Sequence, residues 1–344
     1  MKRVVKVGDL QIGGDSKVTV QSMTTTDTRD VKSTVSQIRR LEEAGCDIVR
    51  VAVLDHDACS AIFKIKKDIN IPLVADIHFD YRLAIDSIKN GADKIRINPG
   101  NIGSVDRIKK IVEVAKQYKV PIRVGVNSGS LPKHIVEKYG VTTDAMVYSA
   151  IENAKILEDL DFGDIVVSLK ASDVKKTIDA YTLMNEKTDY PLHVGVTEAG
   201  TKWIGTIKSS IGIGSLLAKG IGDTIRVSLT SDPVDEVRTG IEILKSLGIR
   251  KTGIKFISCP TCGRCKINLI EIAGKVQEKL QDINKDIVVA VMGCAVNGPG
   301  EAREADIGIA GGDNEALLFK KGNIIRKISE GNIVKELIEE IEKM

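Results

Sequence analysis

Short apolar runs alternate with longer segments of helical period through most of the chain. Eight runs, rich in Val and Ile, predict β-strands at residues 18–21, 47–53, 72–77, 93–97, 121–126, 164–169, 192–196 and 224–228. The segments between or after them carry apolar residues at helical spacing, as at residues 31–44, 105–118 and 234–247. Repeated βα units predict a parallel sheet, and eight units match the number in a TIM (β/α)8 barrel.

The C-terminal part follows a different order of elements. We predict a strand, a helix, a strand, a Gly- and Pro-rich loop containing Cys294, two strands separated by a turn, and a last helix. All but the last helix map to residues 253–258, 269–280, 286–292, 306–310 and 323–328. The sequence therefore predicts an α/β protein of two domains, with a barrel at residues 1–248 and a small α/β domain at residues 249–344. The charged, hairpin-like residues 2–14 are expected to plug the bottom of the barrel.

Composition narrows the class of protein. The 344 residues contain 50 Lys and Arg against 47 Asp and Glu, which leaves a net charge of only +3. We expect no nucleic-acid partner and no membrane, because no separate basic run and no apolar stretch of spanning length occurs. Charges interrupt the N-terminus before an export signal can form, so six Cys with a close Cys-x-x-Cys pair indicate metal or redox use in the cytoplasm rather than disulfides; Cys46 and Cys59 are expected to be structural.

Cations recur inside the predicted barrel strands. Arg50 lies in the middle of an apolar strand, where an unpaired charge is costly, and four further strands repeat the anomaly with Arg96, Arg123, Lys170 and Arg226. One such residue alone would indicate a strand-end cation or a satisfied ion pair. Five of them, near the carboxyl rim where barrel active sites lie, predict an anionic substrate with more than one charge, best a phosphate or diphosphate.

Other polar side chains accompany the cations on or just beyond the same strands. They complete the predicted substrate site with Asp76, His78, Asn98, Asn127, His193 and Ser228, and Glu198 follows the seventh strand. Gly- and Ser-rich loops after strands four, five and seven offer backbone N–H groups to phosphate oxygens.

The cysteines define a second candidate site. Cys259-Pro-Thr-Cys262 has the spacing of a metal knuckle, and a structural zinc is the simplest interpretation. A four-cysteine zinc ribbon needs a second close pair about 15 to 20 residues further on, whereas this chain offers the single Cys294. Cys265 extends the first run, so the spacing favours an iron–sulfur cluster while the fourth ligand stays open.

Seven motifs along the whole chain resemble the 4-hydroxy-3-methylbut-2-enyl diphosphate synthase family, in its short bacterial two-domain form. They are Val20-Gln-Ser-Met23, Ala75-Asp-Ile-His78, Arg96-Ile-Asn-Pro-Gly100, Arg123-Val-Gly-Val-Asn127, Val196-Thr-Glu-Ala-Gly200, Ser258-Cys-Pro-Thr-Cys-Gly-Arg264 and Met292-Gly-Cys-Ala-Val-Asn-Gly-Pro-Gly-Glu301-Ala. The two cysteine motifs are the most specific of these.

The resemblance implies an oxidoreductase of the non-mevalonate isoprenoid route. Its implied substrate is 2-C-methyl-D-erythritol 2,4-cyclodiphosphate, which is opened and reductively dehydroxylated, with ferredoxin or flavodoxin as electron donor. It also implies a 4Fe-4S cluster held by Cys259, Cys262, Cys294 and Glu301; a third Cys in the run, here Cys265, is not a ligand in the family.

From these features we predict roles. Arg50, Arg96, Arg123, Lys170 and Arg226 hold the diphosphate, with hydrogen bonds from Asn127 and Ser228. Glu198 donates a proton or stabilises charge near the ring carbons, Glu301 is a displaceable oxygen ligand, and Asp76 and His78 orient other groups.

The order of elements also predicts a head-to-tail homodimer. The last barrel helix returns the chain to the face opposite the active rim, roughly 20 Å away at about 1.5 Å per residue. A short linker then leaves the cluster domain at the wrong end of its own barrel. It is therefore expected to cap the barrel of a second subunit, as the resemblance also implies.

Two alternatives remain at this point. One is a barrel synthase of the pterin-binding, dihydropteroate synthase type with a zinc-stabilised appendage. The other is a metal-knuckle binding module fused to a degenerate barrel. Brown protein with iron and sulfide separates the family prediction from both.

Overall fold

The structure of the protein is a computed structural model that describes residues 2–251, 253–280, 283, 285–294 and 302–344, with the side chain of residue 130 left aside. The chain forms two compact units, Met1–Ile249 and Arg250–Met344. Each is built around a core of its own.

Unit 1 is the predicted barrel. After a short hairpin of β1 (Val5–Val7) and β2 (Leu10–Ile12), eight strands follow. They are β3 (Thr19–Met23), β4 (Ile48–Ala52), β5 (Leu73–Asp76), β6 (Lys94–Ile97), β7 (Ile122–Asn127), β8 (Ile165–Lys170), β9 (His193–Val194) and β10 (Thr224–Ile225). All neighbours pair in parallel in the order β8-β7-β6-β5-β4-β3-β10-β9, and a bridge between Val167 and Leu192 joins the two ends. The TIM-barrel prediction is confirmed.

Helices surround the strands of unit 1. They are α1 (Val31–Glu43), α2 (His56–Lys66), α3 (Tyr81–Lys89), α4 (Pro99–Ile102), α5 (Val105–Tyr118), α6 (Lys133–Tyr139), α7 (Thr143–Glu158), α8 (Val174–Lys187), α9 (Lys202–Leu217) and α10 (Pro233–Ser246). Helix α1 shows how the local sequence determines where a helix begins and which face it buries. The Asp30 carboxylate caps it by accepting from the backbone N–H of Ser33, and Val35, Ile38 and Leu41 bury one face against the strands.

The N-terminal hairpin closes the bottom of the barrel. Val5, Val7 and Ile12 are buried and form one cluster with Ile48, Val74 and Val166 from the lower ends of three strands. These apolar side chains fill the lower barrel, so the polar interior begins one layer higher. The position predicted for residues 2–14 agrees with this packing.

The last two strands are shorter than the predicted runs 192–196 and 224–228. After Val194 the chain leaves the ladder at Gly195, where a Cβ would lie 2.5 Å from the carbonyl oxygen of Arg226. The side chain of Tyr181, on α8, replaces part of the missing backbone hydrogen bonding between β8 and β9. Its buried hydroxyl accepts from the Leu169 N–H at 3.0 Å and donates to the His193 carbonyl at 2.5 Å.

The described residues of unit 2 form a five-stranded sheet and two helices. Its elements are β11 (Lys255–Ser258), α11 (Leu269–Leu280), β12 (Val288–Met292), β13 (Ile307–Gly311), β14 (Glu315–Lys320), β15 (Asn323–Ser329) and α12 (Ile333–Glu342). Strands β11, β12 and β13 are parallel, and β14 and β15 continue the sheet antiparallel.

The prediction of a turn alone between residues 310 and 323 was wrong, because strand β14 lies there. Its six residues lack any β-branched side chain, and a register shift at Leu318 and Phe319 turns both of these consecutive side chains inward. The alternation that identifies a strand is therefore broken in the sequence itself.

Replacing Tyr181 with Phe tests the hydrogen-bonded bridge that its hydroxyl forms between β8 and β9. The change removes the hydrogen-bond partner of the Leu169 N–H and of the His193 carbonyl. We therefore expect the free energy of unfolding to fall by about 1–3 kcal/mol. Urea denaturation measures it. Tyr118→Phe, on the half-exposed end of α5, is the control and should change little; equal stability of both variants would contradict the assignment.

Candidate active site and cysteine cluster

Three buried guanidinium groups lie in the upper half of the barrel around one carboxylate. Arg50 Nε is 3.8 Å from Asp76 Oδ2, and Arg96 Nη1 is 3.3 Å from Asp76 Oδ1. Arg123 Nη1 donates to Gln21 Oε1 at 3.4 Å. All three arginines are at most 3% exposed, so this interior carries more positive charge than Asp76 can balance.

Several buried donors of this layer have no hydrogen-bond partner among the described residues. They are Lys94 Nζ, Nε and Nη2 of both Arg96 and Arg123, Arg226 Nε and Gln21 Nε2. Unsatisfied buried donors are expensive, and those of a cation more so. An anion with several oxygens would satisfy them together.

The pKa values respond to the same imbalance. Burial alone would raise the pKa of Asp76, but Arg50, His78 and Arg96 together hold it below its usual range. Burial, together with Arg96, lowers the pKa of Arg123 to about 9. For Lys94, burial is again the main cause, and the nearby Arg123 and Arg50 add to it, so its pKa is far below the ordinary value.

An open cleft leads down to this layer from the carboxyl ends of the strands. Its polar lining comes from Arg50, Ser168, Lys170, His193, Arg226 and Ser228, with Tyr181 and Gly195 between them. Lys170 stands beside Asn127 in the register of β7 and β8. A wider hollow outside α1, between Lys32, Arg39 and Asp68, is made of helix surface, so its position does not suit barrel chemistry.

Lys170 lines the cleft and has a pKa close to neutral pH. Burial, followed by the fields of Arg96, Arg50 and Arg123, lowers its pKa to about 7. The ammonium is therefore half charged near neutral pH in the free protein. An anion beside it would favour the charged form.

His193 is buried on β9 and lines the cleft. It is 6% exposed, and its Nδ1 is 3.4 Å from Thr224 Oγ1. Burial, and then Arg123 and Lys94, hold its pKa well below the ordinary value, so the imidazole is neutral. It can therefore offer one donor and one acceptor at the floor of the cleft.

The remaining predicted residues lie around the rim. His78 is exposed, with Nε2 3.6 Å from Asp76 Oδ2. Asn98 is buried, and its Oδ1 caps α4 by accepting from the Gly100 N–H, which leaves its amide donors for a ligand. Glu198 is exposed with φ of 51°, a left-handed conformation that costs energy in a residue other than Gly.

Two supporting residues were missing from the prediction. Met23 Sδ accepts from both Nε and Nη2 of Arg50, at 3.0 and 2.9 Å. Glu236, buried in the first turn of α10, accepts from Ser22 Oγ and the Leu229 N–H and lies 3.8 Å from Arg226 Nη2. Glu236 could have been identified as an acidic residue on the inner face of a predicted helix. The sequence contains no comparable signal for the contact that Met23 makes.

Gly125 makes room for Arg96. A Cβ at Gly125 would lie 2.7 Å from Arg96 Nε and 3.0 Å from Nη2. Because residue 125 has no side chain, the guanidinium can lie flat across β7 in the barrel interior.

The cysteines of unit 2 gather at one edge of its sheet. Cys259 follows β11 and Cys294 follows β12 at the corresponding end, because Ser258 pairs with Val291. The Gly293 N–H donates to Cys259 Sγ at 3.2 Å. Cys262 is exposed and Cys294 half-buried. Glu301, predicted as an oxygen ligand, lies outside the described residues.

Cys265 has a different environment. Its Sγ donates to the Ile267 carbonyl at 3.3 Å and lies where a Cβ of Gly293 would come within 2.7 Å. The sulfur of Cys265 is thus already engaged with the backbone of its own segment.

The cysteine set fits an iron–sulfur cluster in its chemistry. No three His, Cys, Asp or Glu side chains in the described ranges stand together as a ready metal site. Thiolates are nevertheless the ligands that such clusters take, and a backbone N–H already directed at Cys259 Sγ matches the hydrogen bonding that tunes them.

A TIM barrel with a basic cleft and an attached cysteine-bearing α/β unit defines a barrel enzyme for an anionic substrate. Family models match both units: the GcpE TIM-barrel domain over residues 2–241 and the GcpE protein C-terminal domain over residues 255–343. The chain belongs to the GcpE family, which confirms the resemblance found in the sequence.

Curated relatives extend over nearly the whole chain. A protein of Ruminiclostridium cellulolyticum is 63% identical over 341 residues, covering 99% of this chain and 97% of its own length. One from Clostridium acetobutylicum is 62% identical over 343 residues, covering 99% and 98%. Both carry the name 4-hydroxy-3-methylbut-2-en-1-yl diphosphate synthase (flavodoxin).

Solved structures agree with the barrel. The dihydropteroate synthase of Yersinia pestis superposes with a TM-score of 0.53 at 11% identity, over 72% of this chain and 98% of that one. At such identity the likeness shows the fold alone. Separately, a search of the described helices finds none that is long and apolar enough to cross a bilayer.

The pKa of Lys170 makes anion binding depend on pH. Affinity for inorganic pyrophosphate should be greatest below about pH 7 and fall as the ammonium loses its proton, by about tenfold per pH unit well above the pKa. Calorimetric titration at several pH values measures it. Lys170→Arg keeps its charge and corrects for the titration of pyrophosphate; parallel profiles for both proteins would contradict the role of Lys170.

Proposed function

We propose that this chain reduces 2-C-methyl-D-erythritol 2,4-cyclodiphosphate to 4-hydroxy-3-methylbut-2-enyl diphosphate through a 4Fe-4S cluster. In this reaction two electrons and two protons enter and one water leaves. The observation that carries the proposal is the set of buried, unsatisfied cationic donors beneath an open cleft, in a chain of this family. The pterin-type alternative has only a fold likeness in its favour.

The diphosphate is assigned to the basic cleft. Arg50, Arg226 and Lys170 line the cleft, and Arg123 and Arg226 keep buried donors that have no partner among the described residues. Asn127, which pairs with Lys170, and Ser228, in the cleft lining, supply hydrogen bonds. Arg96 lies against Gly125, and Asn98 and His193 offer further polar contacts. Asp76 orients the guanidinium groups of Arg50 and Arg96, and His78 contacts Asp76 from the rim. A rigid barrel presents these charges without reorganisation, which favours the bound anion.

Glu198 is assigned to proton transfer near the ring carbons. Its left-handed backbone conformation directs a carboxylate from the loop after β9, next to the N-terminus of α9. Strained conformations of this kind persist at functional sites because the surroundings fix them.

The cluster is assigned to unit 2. Cys259, Cys262 and Cys294 would hold it through thiolates and Glu301 through a carboxylate, while Cys265 stays outside the ligand set. Such a cluster supplies electrons one at a time. Because relatives of this chain are named for flavodoxin, we assign flavodoxin rather than ferredoxin as the electron donor, in the cytoplasm.

The active form is proposed to be a head-to-tail homodimer. Helix α10 runs away from the carboxyl rim and ends at Ser246, and β11 begins at Lys255. The eight residues between them reach at most about 29 Å when fully extended. A cluster unit tethered there serves the rim of a second copy more readily than its own.

Anaerobic turnover tests the proposal directly. Protein purified without oxygen should be brown, contain about four iron and four sulfide per chain, and convert the cyclodiphosphate to the linear diphosphate with reduced flavodoxin. Colourless, zinc-bound protein without turnover would overturn it.

Two single changes test the ligand assignment. Cys262→Ser should lose cluster iron and turnover, whereas Cys265→Ser should retain both, because the Cys265 thiol donates to a carbonyl. Iron content and visible absorption decide. Loss of iron from both variants in equal measure would make Cys265 a ligand.

Glu198→Gln tests proton transfer. The amide keeps the shape of the side chain but cannot deliver an acidic proton, and we expect kcat to fall by about 10²–10⁴ with cluster content unchanged. Glu186→Gln, on the surface of α8, is the control. Full turnover with a complete cluster would remove Glu198 from the reaction.

Mixed dimers test the subunit arrangement. Lys170→Ala disables the barrel and Cys294→Ser disables the cluster unit, so each chain alone should be inactive. Co-refolded or co-expressed chains should regain part of the activity, because one mixed pairing joins an intact barrel to an intact cluster. Absence of any rescue in proven heterodimers would contradict the arrangement.

A further inference from the structure

Lys94 is a buried lysine at the floor of the polar interior of the barrel. It is the first residue of β6, and it is 0% exposed. Its register partner on β5 is Val74, which belongs to the apolar cluster that fills the lower barrel. Lys94 is not among the residues that line the open cleft. Its side chain therefore starts where the apolar floor meets the layer of cations.

The nitrogen of Lys94 has no counter-charge among the described residues. Its Nζ forms neither a hydrogen bond nor an ion pair there. Asp76, on the neighbouring strand, is already engaged by Arg50 and Arg96. The charges of Arg123 and Arg50 act on Lys94 as well, and both oppose a positive charge on it. An ammonium at this place would be desolvated, unpaired and repelled by its neighbours.

The polar interior around Lys94 carries more positive than negative charge. The titratable and charged groups that face it are Arg50 on β4, Asp76 on β5, Arg96 on β6, Arg123 on β7, Lys170 on β8, His193 on β9, Arg226 just after β10, and Glu236 on α10. The imidazole is neutral, so five cations besides Lys94 face two carboxylates. Even the two negative charges of the cyclodiphosphate would not reverse this excess.

A lysine loses its proton more readily than an arginine in such surroundings. A guanidinium group keeps its proton in almost every protein environment, whereas the pKa of a buried ammonium shifts easily. Burial, followed by the charges of Arg123 and Arg50, lowers the pKa of Lys94 far below its ordinary value, in agreement with its geometry. Lys94 is also more deeply buried than Lys170, the other lysine of this interior.

We propose that Lys94 is a positioning residue for the diphosphate, whose amine is neutral in the free barrel and takes up a proton from solvent when the anion binds. This inference rests on the proposed function, because it requires a diphosphate in the cleft. An anion beside Arg50 and Arg226 offsets the repulsion that keeps Lys94 neutral, and the nitrogen lone pair then accepts a proton. The resulting ammonium attracts the anion from below, so binding and protonation strengthen each other.

The number of protons taken up on binding tests the proposal. Each phosphorus of the cyclodiphosphate carries one ester and one anhydride bond, so its remaining hydroxyl is strongly acidic and the ligand does not titrate near neutral pH. Anaerobic, cluster-loaded protein is titrated calorimetrically with the cyclodiphosphate, without reductant, at pH 8 in buffers of different ionisation enthalpy. At this pH His193 stays neutral and Arg123 is mostly charged. Lys170→Arg serves as the parent protein, because arginine at position 170 does not titrate there.

The parent protein should take up about half a proton or more per barrel, because Lys94 passes from mostly neutral to mostly charged. Adding Lys94→Met, which keeps the length of the side chain but holds no charge, should bring the uptake close to zero. Adding Lys64→Met instead, at an exposed lysine of α2, is the matched control and should leave the uptake unchanged.

The pH dependence separates this role from packing alone. Lys94→Met should bind the cyclodiphosphate about tenfold more weakly than its parent near pH 6, and the two affinities should converge toward pH 10, where Lys94 carries no charge in either state. Lys94→Met should also raise the free energy of unfolding at neutral pH, since the unfolded chain holds this lysine charged and the folded chain does not. That gain should shrink as the pH rises toward 10.

Three results would overturn the proposal. Absence of proton uptake by the parent protein would do so without any change at position 94. Uptake that persists in Lys94→Met, or a loss of affinity that is equal at every pH, would restrict Lys94 to packing. Failure of turnover with binding and proton uptake retained would remove the proposed reaction and support this inference, whereas absence of any binding of the cyclodiphosphate would remove both.

Discussion

An excess of buried positive charge is the constraint on which the rest of the structure depends. Arg50 and Arg96 share the carboxylate of Asp76, while Arg123 and Lys94 reach no carboxylate among the described residues within ion-pair distance. In isolation such an arrangement is destabilising, because each desolvated cation needs a counter-charge. The barrel tolerates it because apolar packing elsewhere is extensive. An anion that enters the site relieves the repulsion between these cations, and the free energy recovered in this way strengthens its binding.

The framework explains how these charges stay in place. The N-terminal hairpin fills the lower barrel with aliphatic side chains, which leaves the cations only the upper half. Tyr181 joins β8 to β9 where the ladder is thin, and Glu236 and Met23 hold Arg226 and Arg50 from outside the cleft. These supporting groups restrict how far the guanidinium groups can turn. A rigid arrangement of this kind keeps the charges preorganised for the diphosphate that we propose binds there.

Much of this could be predicted from the sequence, and the exceptions have physical causes. All eight barrel strands were visible as apolar runs, and the cations within them stood out because charge in a β-branched strand is rare. Strand β14 was missed since a bulge at Leu318 and Phe319 cancels the alternation. The depth of His193 and the capping role of Asn98 depend on neighbours far away in the chain, which a local pattern does not contain. The same is true of the sulfur of Met23.

Gly125 and Arg96 illustrate how an absent side chain can be as specific as a present one. The guanidinium occupies the volume that any Cβ at position 125 would claim. The two positions, 29 residues apart in the chain, are therefore sterically coupled, because a methyl group at position 125 would displace the Arg96 guanidinium from its place in the barrel interior. Gly293 stands in the same relation to Cys265 in unit 2. In both units a glycine leaves the space that a neighbouring side chain occupies, so a substitution at either glycine is limited by that side chain rather than by backbone freedom.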